Sequence, residues 1–223
     1  MVVLGICLGL GVLLAAFYAS ASMRAGIYVR SICRLNATDK RIAITFDDGP
    51  AGNATELVLN VLKDFGTQAT FFCVGVRVLE YPALVERMVG EGHAVGLHSW
   101  AHGNGYPLKS YRAMRYDTER TQDALEPLLG MRVQLYRPPF GVTNPTIGRL
   151  VRCKGLKCVG WNIRSFDTFW RNPGKVSRRV LRKLRPGAIV LLHDRLPEAA
   201  ETLRLILQGV IARGYRVVPL DLE

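Results

Sequence analysis

From residue 41 onward the chain alternates between two patterns. Short runs are solidly apolar or alternate apolar with polar residues, and longer runs place apolar residues every three or four positions. The first pattern predicts strands over 41–46, 69–74, 94–98, 132–136, 157–161, 188–193 and 215–219. The second predicts helices near 54–65, 80–91, 109–129, 144–154, 175–185 and 197–213. Seven strand–helix repeats of this kind imply an α/β fold with parallel strands and helices packed outside. An incomplete α/β barrel and a doubly wound sheet both satisfy the pattern. Either one puts binding chemistry at the C-terminal ends of the strands. With 223 residues the chain is long enough for one domain with a full core, and no repeat or low-complexity tract interrupts it.

The N-terminus departs from this rhythm. Residues 1–22, "MVVLGICLGLGVLLAAFYASAS", carry no charge, and as a helix they would span about 33 Å, enough for a bilayer core. A single-pass anchor and a cleaved signal peptide compete for this segment. Ala19-Ser20-Ala21 is an acceptable small-x-small cleavage site. The apolar stretch is long for a signal core, however, and no basic residue precedes it, which favours an uncleaved anchor. Arg24, Arg30, Arg34, Lys40 and Arg41 follow, so residues 23–37 read as a basic juxtamembrane linker. The positive-inside rule would hold that side in the cytoplasm.

Composition describes an ordinary globular protein, with 49% apolar and 22% charged residues. The net charge of +12, from 30 basic and 18 acidic residues, points to an anionic partner: a phospholipid surface, an acidic glycan or nucleic acid. Part of the excess lies in residues 171–185, "RNPGKVSRRVLRKLR", with seven basic residues and no acid. Val176, Val180 and Leu184 recur every four positions there, so this is an amphipathic helix with a basic outer face, solvated or laid on anionic lipid. No aromatic residues interleave as a stacking surface for bases needs, which excludes nucleic acid. No obligate protein partner is indicated. The five cysteines show no metal-ligand spacing and no dense disulfide framework. Cys73, in "ATFFCVG", is a small core residue, and a bond between Cys153 and Cys158 is left open.

The strand ends carry the candidate chemistry. "RIAITFDDGP" sets a strand against two adjacent carboxylates, Asp47 and Asp48. Neighbouring side chains on a strand face opposite ways, so both can serve one site only if the chain leaves the strand there, as Gly49-Pro50 permits. The third strand runs into "GLHSWAH", with His98 and His102 four apart; on one helical turn they would face the same way and share a metal ion. His93, in "EGHAVG", has no such partner and reads as a loop residue. In "RPPFG" Arg137 is a ready partner for a carboxylate. "GAIVLLHD" ends in His193, a candidate acid or base, and "VGWNIRSFD" supplies Trp161 and Asp167. Asp48, His98 and His102 form a three-ligand set of the catalytic zinc type, which frees Asp47 to act as a base. The carboxylate doublet is then one ligand and one base.

The ordered motifs TFDDGP, HSWAH, RPPFG, the tryptophan segment and LLHD resemble the NodB-type polysaccharide deacetylases, carbohydrate esterase family four, over residues 38–221. The resemblance implies a distorted (β/α)7 barrel and metal-dependent removal of N-acetyl groups from the amino sugars of a glycan such as peptidoglycan or a chitooligosaccharide, or sometimes of O-acetyl groups from xylan. It implies Asp47 as base, Asp48, His98 and His102 as ligands of a divalent ion (zinc, or cobalt), Arg137 as the group steadying Asp47, and His193 as acid. Phe140, Trp161 and Leu192 would surround the acetyl methyl, and a backbone N–H near Phe140 would help hold the oxyanion. Such an activity would place the domain outside the cytoplasm, against the sidedness that the basic flank suggests. In one respect the chain departs from the family. An aspartate two or three residues past the tryptophan often tunes the acid there, and Arg164 stands in its place, with Asp167 as the substitute. Two other readings remain: a deformylase or deacetylase of a lipid-linked sugar at the membrane, and a glycan-binding protein on an inactive scaffold.

Overall fold

The computed structural model describes residues 2–220, side chains included except at 2–8 and 12. Strand β1 (Arg41–Asp47) is buried along its length apart from Arg41, because it lies inside the sheet with a neighbour on each side. The remaining strands are β2 (Thr70–Val74), β3 (Ala94–Ser99), β4 (Leu135–Tyr136), β5 (Lys157–Cys158), β6 (Ile163–Arg164), β7 (Ile189–His193) and β8 (Arg216–Val217). They pair in parallel in the order β5-β4-β3-β2-β1-β7-β6, with β8 against the start of β1. The parallel sheet with helices alongside is a curled, distorted (β/α)7 barrel. Register follows from the apolar runs: Thr45 lies beside Leu191, and Asp47 beside both Phe72 and His193.

The helices are α1 (Val2–Ala21), α2 (Asn53–Asp64), α3 (Gly75–Glu80), α4 (Pro82–Gly90), α5 (Tyr111–Leu129), α6 (Pro145–Lys154), α7 (Asp167–Trp170), α8 (Pro173–Arg182) and α9 (Ala199–Ala212). The helix expected near 80–91 is α4, opened by Pro82, whose missing N–H separates it from α3, a short helix that the pattern did not predict. α8 begins where the Asn172 side chain accepts from the Lys175 N–H at 2.8 Å. Its inner face buries Val176 and Val180 and its outer face is basic.

Residues 23–37 do not form the linker expected from their charge. Met23 and Val29 are buried in the main core, and Ile32 makes a parallel bridge to Val159 while Arg34 makes an antiparallel one to Ala188. The Ile32 N–H donates to the Cys158 carbonyl at 2.8 Å, and the Gly160 N–H donates to Ile32 at 2.9 Å. β5 and β6 are the two ends of the sheet, and this segment lies against the chain leaving β5 and entering β7. That explains why β5 stops at Cys158 and not at the expected residue 161: Gly160 is diverted to Ile32. The apolar residues among the arginines carried this signal. Deleting buried methionine atoms typically costs 2–5 kcal/mol, so Met23→Ala is expected to lower unfolding stability by about 2 kcal/mol in urea denaturation. Unchanged stability would show the segment to be dispensable.

The end of α1 joins the same body. Ala19 is buried, and Thr143 donates to Ala19 through Oγ1 at 3.2 Å and to Ser20 through N–H at 2.9 Å. Among the described residues no helix is long and apolar enough to cross a membrane; the anchor expected over residues 1–22 falls partly outside them. Cys33, Cys73, Cys153 and Cys158 are all free. No bond joins Cys153 and Cys158, because Cys153 is exposed on α6 while Cys158 is buried in β5. His93 is a loop residue, directly ahead of β3. It is buried, and its Nδ1 accepts from the Ala69 N–H at 3.2 Å.

Candidate active site

Asp47 is the last residue of β1. Thr45 and Asp47, two apart, share the face turned toward the barrel interior, where Arg137 Nη1 donates to Thr45 Oγ1 at 2.8 Å and to Asp47 Oδ1 at 2.7 Å. At Asp48 φ becomes 75°, so the chain leaves the strand and turns the second carboxylate to the same opening. The turn is held from behind by Asp194, whose Oδ2 accepts from Thr55 Oγ1 at 2.6 Å, while Thr55 Oγ1 accepts from the Ala51 N–H at 2.7 Å. The Asp194 carboxylate sits so close to Gly49 that no Cβ fits there. Burial pushes the Asp194 carboxyl up to about 7.

His98 and His102 are not on one helical turn as their spacing suggested. His98 lies on β3, and His102 lies in the following loop with φ 49°. Loop contacts bring them together instead: the Val76 N–H donates to the Trp100 carbonyl at 2.9 Å, the Trp100 N–H to Asp117 Oδ1 at 2.7 Å, and the His102 N–H to Ser99 Oγ at 3.0 Å. The two rings stack at 4.9 Å. Asp48 Oδ1 lies 3.4 Å from His98 Nε2 and 3.3 Å from His102 Nε2. One ligand atom from each of the three residues falls within 4.8 Å of the others. His98 Nδ1 is 2.8 Å from the Arg137 carbonyl. As donor there, it leaves the Nε2 lone pair facing Asp48, which is the tautomer a metal requires.

The charge states suit the same use. Burial pushes the Asp48 carboxyl upward, but His98, His193 and Arg195 outweigh it and hold the group well below the usual carboxylate range. Burial, with His98 adding to it, lowers His102 and favours its neutral ring. An anionic oxygen and the imidazole nitrogens of His98 and His102 converge, and this donor set fits a divalent cation. Arg195 directly follows the LLHD motif and went unremarked in the sequence. Its Nε donates to Asp48 Oδ2 at 2.8 Å, which leaves Oδ1 to face the histidines.

Opposite this cluster His193 ends β7. Its Nδ1 is 2.9 Å from Asp167 Oδ1, and its N–H donates to Asp167 Oδ2 at 2.8 Å. Asp167 is fixed in turn by Ser165 Oγ at 2.9 Å and the Thr168 N–H at 2.9 Å. Burial alone would lower His193, but the bond to Asp167 and the charges of Asp167, Asp47 and Asp48 outweigh it, and its pKa is raised. Arg164 is exposed, with its guanidinium 5.2 Å from the Phe166 ring. Asp167, and not Arg164, faces the histidine.

Asp47, Asp48, His98, His102 and His193 line one cavity of about 210 Å³ together with Phe140, Trp161 and Leu191. The Phe140 ring meets His102 edge-on at 4.6 Å. Trp161 packs against Gly141, whose φ of 66° and contact with the indole leave no room for a side chain. Leu192, expected beside the acetyl methyl, is not in the cavity. It is buried in the core on the other face of β7, and Leu191, two residues before His193 and therefore on its face, lines the cavity in its place.

The barrel and this donor set define a candidate metal centre at the C-terminal ends of parallel strands. A sequence-family model described as polysaccharide deacetylase matches residues 34–159, and the chain belongs to that family, the NodB-type carbohydrate esterases. It is 38% identical over 184 residues to peptidoglycan-N-acetylglucosamine deacetylase PgdA of Listeria monocytogenes serotype 1/2a (strain 10403S), covering 82% of this chain and 39% of that protein. It is 32% identical over 204 residues to the chitooligosaccharide deacetylase of Azorhizobium caulinodans, covering 84% of this chain and 96% of the relative. The structure of peptidoglycan deacetylase PdaC from Bacillus subtilis matches with a TM-score of 0.77 at 33% identity, over 82% of this chain and 89% of that one. The chain thus spans about two fifths of the length of PgdA.

Proposed function

We propose that the chain hydrolyses the N-acetyl group of amino sugars in a glycan such as peptidoglycan or a chitooligosaccharide, using zinc held by Asp48, His98 and His102. The observation that carries this reading is the convergence of that donor set with two differently supported proton-transfer groups, Asp47 and His193, in one cavity. The relatives, named for peptidoglycan and chitooligosaccharide deacetylation, support the choice of substrate.

Bound there, the cation supplies Lewis acidity toward the acetyl carbonyl. The remaining work falls to side chains of the chain itself. Asp47, kept in place by Arg137, accepts a proton from the attacking water. His193, charged and oriented by Asp167, delivers one to the departing amine. A positioned acid or base of this kind contributes typically 10²–10⁴-fold. Trp161, Leu191 and Phe140 enclose the acetyl methyl, and the backbone N–H at the Phe140 turn donates to the oxyanion. The direct test is acetate release from N-acetylated oligosaccharides by zinc-loaded protein. Acetate at no more than the uncatalysed rate from chitooligosaccharide and from peptidoglycan fragments would overturn the reading.

Rate against pH tests the role of Asp167. His193 must be protonated to act, and its raised pKa carries the protonated form to higher pH than an ordinary histidine allows. The alkaline limb of kcat should therefore lie above about 6.5, the unperturbed histidine value. Asp167→Asn removes the anion and should move the limb to lower pH. An unmoved limb would show that Asp167 does not tune the acid.

A further inference from the structure

Arg164 is the residue for which the deacetylation chemistry has no use, yet it lines the cavity. Its position follows from register. It lies on β6 beside Leu191 of β7, and Leu191 lies beside Thr45 of β1. Residues paired across parallel strands point to the same face. The Arg164 side chain therefore starts in the row of Thr45 and Leu191, one step below the row of Asp47 and His193. Since β6 is an end strand of the sheet, no further strand covers it, and the guanidinium stays exposed at the mouth.

A second cation stands beside it. The Arg179 guanidinium lies 4.5 Å from the Phe166 ring that Arg164 approaches at 5.2 Å, and Arg179 Nε donates to the Arg164 carbonyl at 2.9 Å. Two like charges thus share one aromatic ring, and among the described residues neither forms an ion pair with a carboxylate. The carboxylate closest in sequence, Asp167, is committed to His193. Guanidinium forks match carboxylate and phosphate oxygens and lie readily on aromatic faces. We propose that Arg164, backed by Arg179, binds an anionic substituent, a carboxylate or a phosphate, carried by the glycan close to the acetamido group, and so makes this active site selective for acidic amino-sugar substrates. The inference rests on the proposed glycan reading for the identity of the scaffold that carries the anion.

Equilibrium binding tests it without turnover, so that a failure of hydrolysis and a failure of anion recognition remain distinct. Two pairs of probes serve, titrated calorimetrically into the full-length protein. The disaccharide of N-acetylglucosamine and N-acetylmuramic acid is compared with its lactyl amide, and tri-N-acetylchitotriose 6-phosphate with the unphosphorylated trisaccharide. We expect at least a fivefold preference for the anionic member of one pair, and that pair identifies the anion. The preference should fall to near one in Arg164→Gln, survive in part in Arg164→Lys, and shrink as salt rises. Equal binding within both pairs, or a preference that persists in Arg164→Gln, would overturn the proposal.

Discussion

Asp47→Asn is expected to lower kcat by about 10²–10⁴-fold while the protein still binds zinc and stays folded. The substitution keeps an oxygen that can accept from Arg137 Nη1, now 2.7 Å from Asp47 Oδ1, so the buried guanidinium keeps its partner. It removes only the ability to take a proton from water. Asp48→Asn, one residue along, should behave differently. It replaces the anionic oxygen that lies 3.3–3.4 Å from both histidine Nε2 atoms, so it should weaken metal binding first, with activity partly recovered at high zinc. Elemental analysis together with single-turnover rates separates the two. Equal metal loss and equal rate loss in both variants would remove the division between base and ligand.

The meeting of the two carboxylates at one opening was legible in the sequence because it depends on local order. Asp-Asp-Gly-Pro at a strand end brings both side chains to one site through the alternation of strand faces and a turn, and φ at Asp48 is where the turn begins. Most strands and helices were legible for the same reason, as each is set by the period of its own residues, while the short α3, β6 and α7 were not. What was misread depends on contacts distant in sequence. His98 and His102 are four apart, but their approach is set by Asp117, Val76 and Ser99 around the loop and not by a helical turn. Residues 23–37 looked like a linker because charge dominates their composition, whereas Met23, Val29 and Ile32 tie them to the barrel. Leu192 in place of Leu191 was an error of one residue, and in a strand that is an error of face. Arg195 showed no pattern at all. Its pairing with Asp48 spans 147 positions and follows only from the register of β7 against β1.

Arg137→Leu is expected to cost about 3–5 kcal/mol of stability, the usual penalty for breaking a buried ion pair from one side. Arg137 is wholly buried, and its guanidinium bonds Asp47 Oδ1, Thr45 Oγ1, the Val159 carbonyl at 3.1 Å and the Gly160 carbonyl at 2.9 Å, while stacking 4.1 Å from the Phe72 ring. It joins the end of β1 to the chain leaving β5, and a leucine could fill part of the space but would leave four acceptors unmatched. The larger part of the cost comes from Asp47, a buried carboxylate left without its cation. At this chain length each kcal/mol moves the melting temperature by roughly 2–4 °C, so a fall on the order of 10 °C is expected. Because the loss is assigned to an orphaned charge, the double variant Arg137→Leu/Asp47→Asn should regain part of the stability while remaining inactive. Strict additivity of the two stability losses in a double-mutant cycle would mean that the pair is not coupled, and that Arg137 supports the barrel through its carbonyl contacts alone.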